Sequence, residues 1–121
     1  MVGLGVLEKQ IADAVIAFWR TLLGRGPEDA RCFVVQDMVI VRMKGALTAE
    51  ERNLAESDQG RRLVKEMRVL LREMHGDAIE RVIAEKTGCR VISSHSDIST
   101  KTGERVEIYI LDRNLEKALS E

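Results

Sequence analysis

Aromatic residues are scarce in this chain, with one tryptophan, one tyrosine and two phenylalanines among 121 residues. So few rings offer no platform on which successive bases could stack, which argues against a single-stranded nucleic acid as ligand. There are only two cysteines, Cys32 and Cys89, and neither has another Cys or a His at metal-ligand spacing. No metal and no cofactor is therefore expected. Thiols set in apolar stretches read as buried and reduced, which points to a cytoplasmic setting. Long uncharged runs are missing too, so nothing approaches the ~20 apolar residues that a membrane-spanning helix requires. The apolar start from Met1 to Leu7 has no basic leader and runs directly into Glu8 and Lys9, unlike a signal peptide. Neither sign of charge dominates: 19 Lys and Arg against 20 Asp and Glu leave a formal net charge of -1. That balance argues against a protein whose main work is to neutralise phosphate backbones, and leaves room only for a local basic stripe. Two asparagines and three glutamines against heavy use of charge suggest a thermophilic source.

What is present is 45% hydrophobic and 32% charged, the balance of one globular domain spanning residues 1–121. Leu4, Leu7, Ile11, Val15, Phe18 and Leu22 recur at helical spacing, and Ala12, Ile16, Trp19 and Leu23 form a second stripe beside them. A helix with so wide an apolar face needs two neighbours. Gly24 and Pro27 end it. Arg31 to Gln36 and Val39 to Lys44 read as a hairpin turning at Asp37-Met38, an unfavoured pair that leaves the register ambiguous. Thr48 and Glu51 spell a capping box for a short helix reaching Ala55.

Ser57 or Asp58 caps the next helix, on which Leu63, Val64, Met67, Leu70, Leu71 and Met74 share one face. Arg61, Lys65, Arg68 and Arg72 line the opposite face, with Arg62 alongside. An unbroken continuation would bring Ile79 and Ile83 onto this basic stripe, so a kink or a fresh helix is expected at His75-Gly76-Asp77. Cys89 to His95 and Arg105 to Leu111 are the remaining strands. In the second, Val106, Ile108 and Ile110 alternate with Arg105, Glu107 and Tyr109, as in a strand buried on one face. A short helix, Asn114 to Leu119, closes the chain. The order α-β-β-α-α(α)-β-β-(α) defines an α+β domain: a mainly antiparallel four-stranded sheet with helices packed on it.

Three groups of residues could carry function. His95, Asp97, Ser99, Thr100 and Lys101, with Arg25 at the end of the first helix, supply donors for an anion or a small metabolite. The same loop also reads as a solvated hairpin whose Asp and Ser side chains close turns on their own backbone, and this reading is favoured. Arg61, Lys65, Arg68 and Arg72 form an interaction face for an acidic partner or, less favoured, a nucleic acid; an ordinary solvated face is the simpler account. Ile16, Trp19 and Leu23 suit the interface of a homo-oligomer, most simply a dimer. No nucleophile, base and oxyanion donor can be assembled, so no catalytic residue is assigned and an enzyme is not expected.

Several segments taken together resemble one small bacterial family. They are Gly24-Arg25-Gly26-Pro27, Asp37 to Arg42, Gly45 to Glu51, Gly60-Arg61, Thr87-Gly88 and Asp97 to Gly103. In this order, from about Glu8 to Leu115, the chain resembles the MpsC-like domain, named for a sodium-translocating, membrane-potential-generating system. The resemblance implies a soluble accessory component of a membrane cation or inorganic-carbon system, with an integral membrane protein as partner. It brings no catalytic residue, cofactor or substrate with it. The leading expectation is thus a non-enzymatic interaction domain that does not itself enter the membrane; an anion-binding regulatory domain is the alternative.

Overall fold

The computed structural model describes residues 3–120, so Met1 and Val2 of the apolar start, and Glu121, fall outside the description. Eight elements follow one another: α1 (Leu4–Leu23), β1 (Asp29–Val35), β2 (Met38–Lys44), α2 (Ala49–Leu54), α3 (Asp58–Thr87), β3 (Val91–Ile98), β4 (Arg105–Leu111) and α4 (Leu115–Ser120). The strands form one antiparallel sheet in the order β1-β2-β4-β3. This is the expected α+β arrangement.

Local chemistry accounts for most of the boundaries. α1 stops at Gly24, which takes the left-handed conformation at φ 74°. Thr48 and Glu51 close the capping box in both directions, and Ser57 caps α3 by accepting from the Gly60 amide at 2.9 Å. Gly60 is fixed by space: a Cβ there would stand 1.6 Å from the Leu54 carbonyl oxygen, so α2 and α3 join closely only with glycine at this point. The first hairpin turns at Gln36-Asp37, one residue earlier than its sequence suggests. Val35 pairs with Met38, and Gln36 takes a positive φ of 58°. The neighbouring Glu116 helps to hold that turn, because its carboxylate accepts from the Gln36 amide. β3 runs on to Ile98, three residues past the expected His95, with a bulge between Val91 and Ser93.

The expected break in α3 is absent: one helix of 30 residues, about 45 Å long, runs from Asp58 to Thr87. Ile79 and Ile83 are buried in the core, and they fix its rotation. The same stripe, followed toward the N-terminus, reaches Arg72, Arg68, Lys65 and Arg61. The basic stripe therefore faces the domain, and Leu63, Met67, Leu70 and Met74 face out. Gly76 sits inside the helix without breaking it, and its missing side chain leaves room for Arg72, whose Nη1 would lie 2.9 Å from a Cβ there.

The main core lies between α1 and the inner face of the sheet. Leu7, Ile11, Val15 and Trp19 meet Cys32, Val34, Val39, Val41, Met43, Tyr109 and Leu111, with Ile79 and Ile83 of α3 and Leu115 of α4 closing the sides. A smaller cluster of Ala46, Leu47, Val64 and Ile98 lies under α2 and the first half of α3. Burial pushes the Cys32 thiol up to about 12, with the nearby Glu8 charge adding to the effect.

Candidate functional site

The inner face of β4 is polar where a core is normally apolar. Arg105, Glu107 and Tyr109 stand two residues apart on it, all buried. The Glu107 carboxylate accepts from Trp19 Nε1 at 2.9 Å, from Arg105 Nε at 2.9 Å and from the Tyr109 hydroxyl. Arg105 lies over the Trp19 ring, 4.5 Å from its centroid, and donates to Ser96 Oγ at 3.2 Å. Burial, with the Glu107 charge beside it, pushes the Tyr109 phenol well above its ordinary value.

A second buried pair lies beneath α2. Arg68 of α3 reaches Glu51 through both Nε and Nη2, each at 2.8 Å, and the Thr48 amide donates to the same carboxylate at 2.8 Å. Burial alone would raise the Glu51 carboxyl. The hydrogen bonds from Arg68 and Thr48, with the Arg68 charge, outweigh it and hold the group below the usual carboxylate range.

Between these clusters a cleft of about 310 Å³ opens between α3 and β3, with Lys65, Arg68, Arg72, Arg105, Ser94 and Asp97 around it. Arg72 donates to Ser94 Oγ, which in turn donates to Glu80, and its guanidinium lies 5.9 Å from the centre of the Tyr109 ring. Arg72 Nε is buried without an acceptor. At the rim, Lys65 Nζ meets Asp97 Oδ1 at 2.8 Å. That hydrogen bond and the Ile98 amide hold the Asp97 carboxyl below its ordinary value.

The residues singled out by sequence are distributed differently from expectation. Arg68 is buried, while Arg61, Lys65 and Arg72 are half-buried and turned inward, so the stripe is not an outward face for an acidic partner or a nucleic acid. Trp19 lies in the core beside Glu107, and Ile16 and Leu23 are only half-buried, so these three do not share an open surface. Ser99 closes on its own loop: its hydroxyl accepts from the Thr102 amide at 3.1 Å and its carbonyl from the Gly103 amide at 2.8 Å. Thr100 and Lys101 line a broad depression with Arg42, Arg52 and Glu104 at the same end of the sheet. Arg25 stands exposed beyond α1, and among the described residues no hydrogen bond or ion pair joins it to the loop. His95 and Asp97 belong to the side of β3 that pairs with Ile108 and Val106, and His95 is exposed there.

Two apolar faces that sequence spacing marks as sides to be covered lie open instead. One is the ridge of α3, where Leu63, Met67, Leu70 and Met74 are 48%, 41%, 56% and 65% exposed. The other is the outer face of the sheet, where Phe33 and Val35 are exposed and Met38, Ile40, Val106, Ile108 and Ile110 only half-buried. The available signal for the ridge was its spacing of four, three and four residues, which is that of a helix–helix seam. For the sheet it was the facing Arg105 and Glu107, an ion pair able to hold the polar side of β4 inward.

An open-faced sheet with helices on one side, a polar inner cluster and two uncovered apolar surfaces defines the type of domain. The chain belongs to the MpsC family: the model described as "Na+-translocating membrane potential-generating system (MpsC)" matches residues 4–113. It is similar to the uncharacterized protein YbcI of Bacillus subtilis (strain 168), 35% identical over 115 residues that cover 95% of this chain and 93% of that protein. It is also similar to the uncharacterized protein YrhF of the same organism, 24% identical over 106 residues that cover 87% of each. No solved structure matches. Among the described residues, no helix is long and apolar enough to cross a membrane.

Proposed function

We propose that this protein is a non-enzymatic interaction domain that docks through the α3 ridge onto a helix of a partner protein. The observation that carries this reading is the ridge itself: four large apolar side chains at seam spacing over three turns, on the side of α3 turned away from the domain. Glu66, Glu73 and Asp77 are exposed along the ridge, with Arg62 and Arg81 exposed near its two ends, so the matching helix is amphipathic with basic residues beside the middle of its apolar stripe and acidic ones toward its ends. The family description supports a component of a membrane cation-translocating system as that partner.

The test is affinity capture from detergent-solubilised membranes of the source cells, with wild type compared to Leu70→Glu/Met74→Glu. Enrichment of an integral membrane subunit by the wild type alone is the expected result. Equal recovery by both proteins, or recovery of no membrane protein, overturns the proposal. Both side chains are exposed, so the variant should keep the wild-type circular dichroism spectrum.

A second reading, anion binding, moves from the hairpin loop to the cleft between α3 and β3, because the buried Arg72 Nε there lacks an acceptor. On this reading inorganic phosphate or acetate raises the melting temperature of the wild type and leaves that of Arg72→Gln unchanged. An equal shift in both proteins, or none in either, removes it.

A further inference from the structure

The strand register fixes what the outer face of the sheet presents. One row across the four strands reads Arg31, Arg42, Val106 and Asp97, the next Phe33, Ile40, Ile108 and His95, and the third Val35, Met38, Ile110 and Ser93. The middle of the face is apolar. Its first row ends in a cation on one edge strand and an anion on the other. Arg31 and Asp97 keep side chains 77% and 82% accessible although each has a partner in its own chain: Asp97 meets Lys65 through Oδ1 at 2.8 Å, and Arg31 Nε stands 4.0 Å from Asp29.

We propose that two copies of this chain pack these outer faces together about a two-fold axis that runs along the strands, between β2 and β4. Such an axis lays β1 of each copy over β3 of the other and keeps every row aligned. Ile40 then meets Ile108, Met38 meets Ile110, Phe33 covers His95, and Arg31 arrives over Asp97, twice by symmetry. The sheet twist of about 30° between packed faces leaves this corner within the reach of an arginine side chain. The other isologous choice, an axis across the strands, sets Arg31 over Val35 and Asp97 over Ser93, while Arg42 faces an apolar side chain under either axis, Val106 or Met38. It leaves the corner charges against apolar or uncharged groups, so charge complementarity selects the first.

The size also fits a second copy. Four strands about 4.8 Å apart and seven residues rising about 3.3 Å each make a face near 20 Å across. Two such faces bury roughly 1,000 Å², the lower bound for a specific interface, so the dimer exchanges readily with monomer. The ridge of α3 lies on the opposite layer and stays free, and this proposal stands whether or not the ridge binds a helix.

The experiment is sedimentation equilibrium on the full chain over a wide range of concentration. A mass approaching twice that of one chain at the upper end is expected. Ile108→Asp should remain a monomer throughout, whereas Leu70→Glu, on the ridge, should dimerise like the wild type. Arg31→Glu and Asp97→Lys should each weaken dimerisation about tenfold, and the combined variant should recover most of that loss. Folding is checked by circular dichroism, with Phe33→Ser in place of Ile108→Asp should the latter fail to fold. A monomer at every concentration overturns the proposal. So does a dimer that survives both outer-face substitutions, which would indicate pairing of strand edges, or a combined charge swap no better than its single variants.

Discussion

The two faces of the sheet invert the usual sorting of polarity. On the inner face β4 buries Arg105 and Glu107 almost completely, while on the outer face the same strand leaves Val106, Ile108 and Ile110 partly open to solvent. Alternation along β4 therefore says that one side is buried without saying which. Partners decide. Trp19 comes down from α1 and Tyr109 stands two residues along β4, so the Glu107 carboxylate meets a full set of donors. That makes an otherwise costly burial tolerable. Among the described residues, the outer face has no comparable partner.

The largest effect should follow from breaking the inner cluster. Glu107→Ala leaves Arg105 without its carboxylate and the Trp19 and Tyr109 donors without their acceptor, in a place water does not reach. A loss of about 3–5 kcal/mol in urea unfolding is expected. Glu107→Gln keeps an acceptor oxygen and should lose less. Ile108→Thr, its neighbour on the outer face, should cost the monomer under about 1 kcal/mol. Similar losses for Glu107→Ala and Ile108→Thr would mean that the buried polar cluster is no more essential to the fold than the open apolar face.

Much of the fold is legible in the sequence, and its failures share a cause. α1 from Leu4 to Leu23, the Gly24 stop, the Thr48–Glu51 box and β4 are readable because each depends on near neighbours in the chain. The rotation of α3 is not. Leu63, Met67, Leu70 and Met74 make a better apolar face than Arg61, Lys65, Arg68 and Arg72, and periodicity prefers the face that the fold rejects. Glu51, 17 residues before Arg68, supplies the carboxylate that turns the basic side inward. Its role as a cap was visible and its ion pair was not. Trp19 looks like an interface residue from its spacing for the same reason, since its indole donor finds Glu107 88 residues away. Sequence spacing registers apolarity well and long-range charge pairing hardly at all.

A smaller effect sharpens the contrast from the acid side. The Glu51 carboxyl is held below its ordinary value in the folded protein, so the native state favours its ionised form more than the unfolded chain does. Its contribution is fully present above the ordinary carboxylate pKa of about 4.3 and fades as pH falls through the lowered folded value. Glu51→Gln should accordingly be about 2 kcal/mol less stable than wild type at neutral pH, with Arg68 left underpaired. The gap should narrow as the pH drops below that of an ordinary carboxyl group. Urea unfolding of both proteins at a series of pH values measures it directly. A gap that stays constant down to strong acid would mean that Glu51 acts through the Thr48 cap and its packing alone, and that the charge on Arg68 does not require it.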